Sequence, residues 1–248
     1  MHLTERIKQA VRLVEARTTP WRGQVEWAGR RLHVVHSLWW DEASQAFFDA
    51  EIVPYFKTLA EATDYRVIVD AGAATGLFSM AAAVLYPHAR VYAFEPSRRQ
   101  RVLLHRNLGL NGLDDRITVA DMGLWDRNAV LAFRTHGAIS SLQSVSQFPP
   151  GYPCLERIQV GRLDEWVAET GAGIVGLVKM DIEGAELEAL RGAETTLRNH
   201  RPDLLVQAYH QRDGTRTLER CATFLGEVGY TCREVGSQSG MLYATHRH

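Results

Sequence analysis

A run of small residues after an apolar segment marks a place where a ligand can approach the backbone. The segment Val67–Ser79 reads VIVDAGAATGLFS, in which Gly72, Ala74 and Gly76 follow a strand and precede an alanine-rich helical pattern. Small residues at these positions permit a sharp turn and a close contact with the main chain. The helix that follows directs its free N–H groups at the turn. The segment therefore predicts a ligand-binding loop.

A carboxylate at the end of the next strand indicates what kind of ligand this loop holds. The second apolar run, Arg90–Phe94, ends directly before Glu95. Neighbouring strands of a doubly wound sheet open into the same ligand crevice at their carboxyl ends. A carboxylate in that crevice can accept hydrogen bonds from both hydroxyls of a ribose. Loop and acid together predict a nucleoside-containing cofactor.

The spacing of the small residues separates two classes of cofactor. A dinucleotide site is expected to read G-x-G-x-x-G, whereas this loop reads Asp-x-Gly-x-Ala-x-Gly. The pattern looks like the loop of enzymes that use S-adenosyl-L-methionine (SAM), with Ala74 in place of the middle glycine. A nicotinamide cofactor stays an alternative because Glu95 would suit it as well. A tight turn that binds no ligand is the third interpretation.

Composition is that of an ordinary globular protein. The chain has 248 residues, 46% hydrophobic and 23% charged, with a formal net charge of −1 that gives no reason to expect a nucleic-acid partner. Cys154, Cys221 and Cys232 lack metal-site or disulfide-framework spacing. Charged residues near Met1 and the lack of a long apolar run predict no signal peptide, no membrane span and a cytoplasmic location.

Three patterns precede the loop. Leu3–Arg17 has a helical stripe, Gln24–His36 reads as a hairpin turning at Ala28 and Gly29, and residues 41–62 read as a helix that Pro54 kinks or splits. We expect residues 1–62 to form a helical and hairpin cap over the ligand edge of the sheet.

From residue 63 to 248 strands alternate with helices, which is typical of a mainly parallel sheet covered on both faces. The predicted elements are strand 66–70, helix 76–85, strand 90–94, helix 98–109, strand 116–120, helix 163–169, strand 176–181, helix 183–199, strand 203–209, helix 217–228 and strands 230–235 and 241–245. Ser97 and Gln100 have the spacing of a capping box.

These elements predict one α/β domain over residues 63–248. Its fold class is a Rossmann-like, doubly wound, mainly parallel sheet of seven strands with an antiparallel C-terminal edge. Residues 126–162 break the alternation with short strand-like runs and a Pro/Gly cluster. We expect them to form an inserted hairpin and loop near the site.

With these segments in place, the chain resembles the FkbM-type methyltransferase family over roughly residues 50–210. The matching pieces are Val69–Gly76, Val91–Pro96, Asn107–Gly112, Lys179–Glu186 and Leu190–Ala193. The resemblance implies a class I SAM-dependent methyltransferase fold. It also implies transfer of a methyl group, commonly to a hydroxyl oxygen of a sugar or natural product, with S-adenosyl-L-homocysteine (SAH) as the second product.

The predicted cofactor residues follow the strand ends. We expect Asp70 near the methionine amino group, and Glu95, followed by Pro96, at the ribose diol. Asp121 is expected to accept a hydrogen bond from the adenine amine, with Met122 packing nearby; a solvated turn and plain core packing are the alternatives for these two. The loop residues assigned to the methionine and ribose are Gly72, Ala73, Ala74 and Gly76.

The predicted acceptor chemistry depends on Asp181. The sulfonium of SAM already activates the methyl carbon, so the protein must position the acceptor and remove its proton. Lys179, Asp181 and Glu183 alternate along one strand face, and the buried lysine needs Asp181, Glu183 or Asp70 as a partner. We predict that Asp181 and Glu183 are catalytic, assisted by His210, whose ordinary pKa suits a base near neutral pH. A buried network that only shapes the loop is the alternative.

Four further residues are candidates for contact with the acceptor. Trp39 and Trp40 could stack on it, although packing of the cap against the sheet is the alternative. His136 and Ser140 lie in the predicted insertion. We assign no metal, although a divalent cation held by Asp181, Glu183, His210 and His136, whose spacing is not diagnostic, stays an alternative.

The leading prediction is therefore an O-methyltransferase acting on a small molecule, without a nucleic-acid or membrane partner. Methylation of nitrogen or of a carboxylate, on a small molecule or a protein, would use the same cofactor half. A catalytically silent SAM-binding module and a nicotinamide oxidoreductase also stay open. So does a homodimer formed through the hydrophobic cap.

Overall fold

A computed structural model describes residues 21–36, 44–59, 64–136, 139–141, 155–212, 214–235 and 240–246. Its strands are β1 (Trp21–Trp27), β2 (Arg30–His36), β3 (Val67–Ala71), β4 (Arg90–Phe94), β5 (Ile117–Ala120), β6 (Gly123–Leu124), β7 (Ala129–His136), β8 (Ile139–Ser141), β9 (Leu155–Gly161), β10 (Leu177–Met180), β11 (Asp203–Gln207), β12 (Gln211–Arg212), β13 (Thr215–Arg216), β14 (Tyr230–Val235) and β15 (Met241–His246). Its helices are α1 (Gln45–Phe47), a π-helical turn (Phe48–Ile52), α2 (Val53–Thr58), α3 (Leu77–Leu85), α4 (Arg98–Asn111), α5 (Leu163–Thr170), α6 (Glu186–Arg191), α7 (Glu194–His200) and α8 (Thr217–Glu227).

The central sheet has seven strands in the order β5-β4-β3-β10-β11-β15-β14. Strand β15 is antiparallel to both of its neighbours, and the other pairs are parallel. The predicted fold class, including the antiparallel C-terminal edge, is confirmed. The strand order reverses between β3 and β10, and ligands of such sheets bind at this switch point, beyond the carboxyl ends of the strands.

Two apolar layers cover the faces of the sheet, because successive side chains of a strand point to opposite sides. Ile68 packs in one layer with side chains of α3 and α4, and Val69 packs in the other with side chains of α6, α7 and α8. Every residue of β3 is buried, as expected for a central parallel strand. Among the described helices, none is long and apolar enough to cross a membrane.

The predicted N-terminal hairpin is confirmed and packs against the first of these layers. Strands β1 and β2 pair antiparallel around Ala28 and Gly29, whose φ angles of 47° and 77° suit a two-residue hairpin turn with positive φ at both positions. Pro54 lies in the first turn of α2 and splits the predicted helix 41–62. The stripe Leu3–Arg17 lies outside the described residues, and the division into a cap and a domain stays a prediction.

Two asparagines of α4 form hydrogen bonds with backbone groups of β2, in the way that a neighbouring strand would. The Asn107 side chain accepts from the N–H of Val35 (2.6 Å) and donates to its carbonyl (3.1 Å) and to that of Thr75 (2.8 Å). One helical turn later, the Asn111 side chain accepts from the N–H of His33 (2.8 Å) and donates to its carbonyl (2.7 Å). The hairpin is thereby joined to the central domain by backbone-like hydrogen bonds.

The inserted region forms a small sheet of its own rather than only a hairpin and loop. The described strands run in the order β6-β9-β7-β8, with β6 parallel and β7 antiparallel to β9. Ile158 and Val160 are buried and pack with Trp125 and Leu131.

Two local predictions are wrong. Helix 183–199 begins only at Glu186, because the Glu186 carboxylate accepts from the N–H groups of Ile182 and Gly184 and holds them in a turn. It is also broken into α6 and α7 between Arg191 and Glu194. Helix α4 begins where predicted, but the capping-box bonds are absent: Ser97 Oγ and Gln100 Oε1 have no described partner.

We predict that Asn107→Ala lowers the free energy of unfolding by about 2–4 kcal/mol, because it leaves buried backbone groups of Val35 and Thr75 without their partners. Urea denaturation monitored by circular dichroism measures this loss. Asn199→Ala, at an exposed position of α7, is the control and should change stability by less than about 0.5 kcal/mol. Equal effects of both substitutions would contradict the role of Asn107.

Candidate functional site

Two adjoining cavities lie at the carboxyl edge of the sheet, at the switch point. The larger, about 500 Å³, is bounded by the ends of β3, β10 and β11 and by the π-helical turn and α2. The smaller, about 140 Å³, lies toward β4, β6 and β9. Both are lined by Gly72, Ala74, Asp181 and Glu183, so these residues form the junction of the two spaces.

The glycine positions of the loop are dictated by close contacts. A Cβ atom on Gly72 would lie 2.0 Å from the backbone oxygen of Asp181, and one on Gly76 would lie 2.3 Å from Leu104. Ala74 has a φ of 48°, in the left-handed region that L-residues rarely adopt. Its N–H donates to Glu95 Oε2 at 2.8 Å, which helps to hold the strained conformation at the cavity junction.

Glu95 lies buried at the wall of the smaller cavity, with only 6% of its surface exposed. Its carboxylate accepts from the N–H groups of Ala74 and Ser97, both at 2.8 Å. Burial raises the pKa of Glu95 to about 7, against the opposing effect of these two hydrogen bonds. Each carboxylate oxygen has capacity for a second donor, as the predicted ribose contact requires.

Lys179 is paired with Asp70, one of its three predicted partners. The Nζ atom donates to Asp70 Oδ1 at 3.0 Å and to the carbonyl of Gly72 at 3.1 Å, and Ser79 Oγ donates to Asp70 Oδ2 at 2.6 Å. Burial alone would lower the pKa of Lys179, but Asp70 and Asp181 outweigh it and the pKa is raised. Asp70 lies behind this lysine and lines neither cavity, so its contact with a methionine amino group stays a prediction.

Asp181 is the carboxylate at the junction, directly after β10. Tyr55 donates its hydroxyl hydrogen to Asp181 Oδ2 at 3.3 Å. Burial raises the pKa of Asp181, and the nearby ammonium of Lys179 opposes this shift. The backbone N–H of Asp181 donates to the carbonyl of Ala71 at 3.1 Å, which places Asp181 beside the end of β3.

Glu183 is held by two residues that follow β11. Its carboxylate accepts from the hydroxyl of Tyr209 at 2.9 Å and lies 3.3 Å from Nε2 of His210. The hydrogen bond to Glu183 raises the pKa of His210, against burial. His210 therefore contacts Glu183 and does not line either cavity, and its help in deprotonating an acceptor stays a prediction. Like Ala74, Glu183 has a positive φ, 58°.

The other predicted residues lie further from the cavities or outside the described parts. Asp121 is exposed and pairs with Arg101 at 3.3 Å. Neither Asp121 nor Met122 lines either of the two cavities, whereas Gly123 and Leu124, next along the chain, line the smaller one. The adenine contacts of Asp121 and Met122 stay predictions.

Of the candidates for contact with the acceptor, Trp39 and Trp40 lie outside the described residues. His136 and Ser140 belong to β7 and β8, but their side chains are likewise outside what the structure describes.

Sequence reasoning missed Tyr55 and Tyr209, which line the larger cavity. Tyr55 belongs to a helical pattern with many apolar residues, and nothing in its spacing singles it out. Tyr209 directly precedes His210, a predicted site residue, and this is the one feature of the sequence that could have identified it. Within the described ranges, no three His, Cys, Asp or Glu residues are grouped so that they could hold a metal ion.

The arrangement of the loop, Glu95, Asp181 and Glu183 around the two cavities can be compared with known families. The model of the methyltransferase FkbM domain matches residues 70–232. The chain belongs to the FkbM methyltransferase family. The match contains the loop, Glu95, Asp181 and Glu183, whereas Tyr55 and the β1–β2 hairpin precede it.

Individual relatives are similar over part of their length. The 2-O-methyltransferase NoeI of Sinorhizobium fredii is 26% identical over 145 residues, which is 53% of this chain and 58% of that protein. Methyltransferase 1 of Beauveria bassiana is 28% identical over 149 residues, 53% of this chain and 59% of that protein. The chain thus spans less than two thirds of each.

Among solved structures, the methyltransferase FkbM of Methylobacillus flagellatus KT aligns with a TM-score of 0.56 and 23% identity. The alignment covers 76% of this chain and 45% of that one. This likeness shows the class I methyltransferase fold.

We predict that Lys179→Met lowers the free energy of unfolding by about 3–5 kcal/mol, because it leaves the buried carboxylate of Asp70 without its cation. The double variant Asp70→Asn/Lys179→Met should lose less, since both charges are removed. Denaturant titration measures all three chains. Arg198→Met, which breaks an exposed ion pair with Glu194, is the control and should cost no more than about 0.5 kcal/mol. If Lys179→Met lowers the free energy of unfolding by no more than this control does, the buried ion pair contributes little to stability.

Proposed function

We propose that the FkbM-family chain is a SAM-dependent methyltransferase that methylates a hydroxyl oxygen of a small molecule, such as a sugar or natural product. The observation that carries this proposal is the position of Asp181, a partly buried carboxylate at the junction of a cavity of about 140 Å³ and a larger one of about 500 Å³. The name of the relative NoeI, a 2-O-methyltransferase, supports oxygen as the accepting atom.

The residues of the smaller cavity fit the adenosine half of SAM. Pro96, Leu124, Ile158 and Val160 supply apolar walls suited to a flat ring, and Glu95 supplies an acceptor for ribose hydroxyls. Gly72 lines both cavities, and its lack of a side chain lets the loop pack directly against the backbone of Asp181. Family membership supports SAM as the cofactor.

The larger cavity combines the two kinds of surface that a hydroxylated organic molecule needs. Its volume of about 500 Å³ falls in the usual range for small-molecule sites. Aromatic and aliphatic side chains line it beside hydrogen-bonding groups, namely Phe47, Ile52, Tyr55, Phe78, Met241, Gln207 and Tyr209.

Bound SAM supplies a methyl carbon made electrophilic by its sulfonium. The chain's own residues then have two tasks. Side chains of the larger cavity orient the acceptor, and Asp181 receives the hydroxyl proton as the new bond forms. Burial raises the pKa of Asp181, which makes its carboxylate a better base near neutral pH than an exposed aspartate.

We predict that Glu95→Gln weakens binding of SAH by about 10- to 150-fold, because hydrogen bonds to a charged group contribute about 1.5–3 kcal/mol. Isothermal titration calorimetry measures the affinity. In the wild type, affinity should fall as the pH is lowered through about 7, since the ionised form of Glu95 accepts the ribose hydrogen bonds and its pKa is raised to about 7. That pH step should be absent from Glu95→Gln.

The control is Glu169→Gln, at an exposed position of α5, which should keep both the affinity and the pH step. Glu186 is also buried, and its pKa is likewise raised to about 7. If the pH step persists in Glu95→Gln, the group that titrates is Glu186 and not Glu95, which would contradict the assignment of Glu95.

We predict that Asp181→Asn lowers the rate of methyl transfer by about 10²- to 10⁴-fold, the usual contribution of a placed base. Its affinity for SAH should stay near that of the wild type. Transfer of label from methyl-labelled SAM to a panel of sugars and hydroxylated natural products measures the rate. Asp115→Asn, in an exposed turn, serves as the control. An Asp181→Asn chain with the full rate would rule out the base.

A further inference from the structure

We infer that Tyr55 is a positioning residue that fixes the orientation of Asp181 by a hydrogen bond to one carboxylate oxygen and so leaves the other for the acceptor. The inference deepens the proposed function and depends on it. Tyr55 precedes residues 70–232, so the segment that contributes it lies outside the family match.

Packing against Phe78 and Lys179 holds the ring of Tyr55 at the cavity wall. It meets the ring of Phe78 edge to face, with centroids 5.5 Å apart, and the Nζ atom of Lys179 lies 5.9 Å from its centroid. Only 6% of its surface is exposed. A phenol confined in this way can direct its hydroxyl to few partners, and Asp181 Oδ2 is the one it reaches, at 3.3 Å.

The phenol acts only as a donor toward this carboxylate. Burial and the charge of Asp181 raise the pKa of Tyr55 well above its ordinary value, so the hydroxyl keeps its proton throughout the range in which enzymes work. Its hydroxyl is the side-chain donor that the structure gives for the Asp181 carboxylate. Removing the Tyr55 hydroxyl would therefore free the carboxylate to rotate.

A π-helical turn directly precedes α2, the helix that contributes Tyr55. A π turn contains about one residue more than an α turn, which rotates the helix that follows by about 100° relative to an uninterrupted α-helix. Phe48 in the π turn and Tyr55 and Phe56 in α2 are all buried in the same core layer, and Tyr55 also lines the cavity with Glu51 and Ile52. Such turns recur at functional sites.

The hydrogen bond from Tyr55 to Asp181 has two opposing effects on the reaction. A lone pair of the acceptor oxygen forms the bond to the methyl carbon, the electrons of the sulfur–carbon bond return to sulfur, and the hydroxyl proton passes to Asp181. The hydrogen bond from Tyr55 lowers the pKa of Asp181, so it weakens the base slightly while it holds it in place.

Several charged groups surround Asp181 and contribute to its titration. Lys179 lowers its pKa, whereas Glu183 and Asp70 raise it. Three more groups interact with it from the neighbouring loops and from α6, namely Tyr209, His210 and Glu186. A test must therefore separate the effect of Tyr55 on the pKa of Asp181 from the effects of these other groups, which should stay the same in every variant.

The test compares the affinities of SAM and SAH by calorimetry across the neutral and mildly acidic pH range. The two ligands differ by the methyl group and the positive charge of the sulfonium, so effects on the ribose, including those of Glu95, cancel in the ratio. An ionised Asp181 at the cavity junction favours the cation, and the preference for SAM should fall as Asp181 is protonated at lower pH.

In Tyr55→Phe the midpoint of this fall should move to higher pH by about one unit, because a hydrogen bond that favours the carboxylate is lost. Tyr55→Met also removes the donor and can adapt to the space, so it should show the same shift if Tyr55→Phe folds poorly. The matched control is Tyr65→Phe, which removes another buried tyrosine hydroxyl, one that lies away from the cavities and donates to Asp203 at 2.5 Å. It should leave the midpoint unchanged.

An unchanged midpoint in Tyr55→Phe, or an equal shift in Tyr65→Phe, would overturn the inference. The double variant Tyr55→Phe/Asp181→Asn adds a further criterion. It should match Asp181→Asn alone, and an additional change caused by Tyr55→Phe would show that the hydroxyl acts elsewhere. A wild-type chain that binds neither SAM nor SAH would instead refute the proposed function.

Discussion

The buried ion pair between Lys179 and Asp70 is the interaction on which the site depends. It joins β10 to β3 at the point where the strand order reverses, and the two residues lie directly opposite each other in the sheet register. The same ammonium binds the carbonyl of Gly72. Burying two charges carries a desolvation cost, which is reduced here because Ser79 and the loop carbonyl supply additional hydrogen bonds.

This arrangement couples the two halves of the site. Gly72 packs so tightly against the backbone of Asp181 that no side chain fits between them. The loop that lines both cavities and the carboxylate at their junction are therefore fixed relative to each other. Strain is concentrated in the same place, since Ala74 and Glu183 both have positive φ. A precise geometry at the junction is what transfer between two bound molecules requires.

Local patterns are sufficient to predict the parts of the site that each depend on one segment. The strand before Gly72, the position of Glu95 and the fold class follow from apolar periodicity and small-residue spacing. The partner of Lys179 can only be narrowed to three residues, because the choice depends on the register of β10 against β3. The predicted helix 183–199 extends too far for a related reason: the contacts of the Glu186 side chain with the preceding turn do not show in a helical pattern. Tyr55 and Asp181 are 126 positions apart, and no local signal connects them.

The amide of Asn107 has a consequence that reaches beyond the support of the hairpin. Its Nδ2 group donates both to the carbonyl of Val35 in the hairpin and to that of Thr75 in the cofactor loop. Because the hairpin and the loop share this donor, ordering of either region stabilises the other. A molecule that orders the loop therefore also slows the exchange of hairpin amide hydrogens with solvent. Substitutions in the hairpin can thus change the stability of the loop that contains Thr75 without altering any residue of that loop.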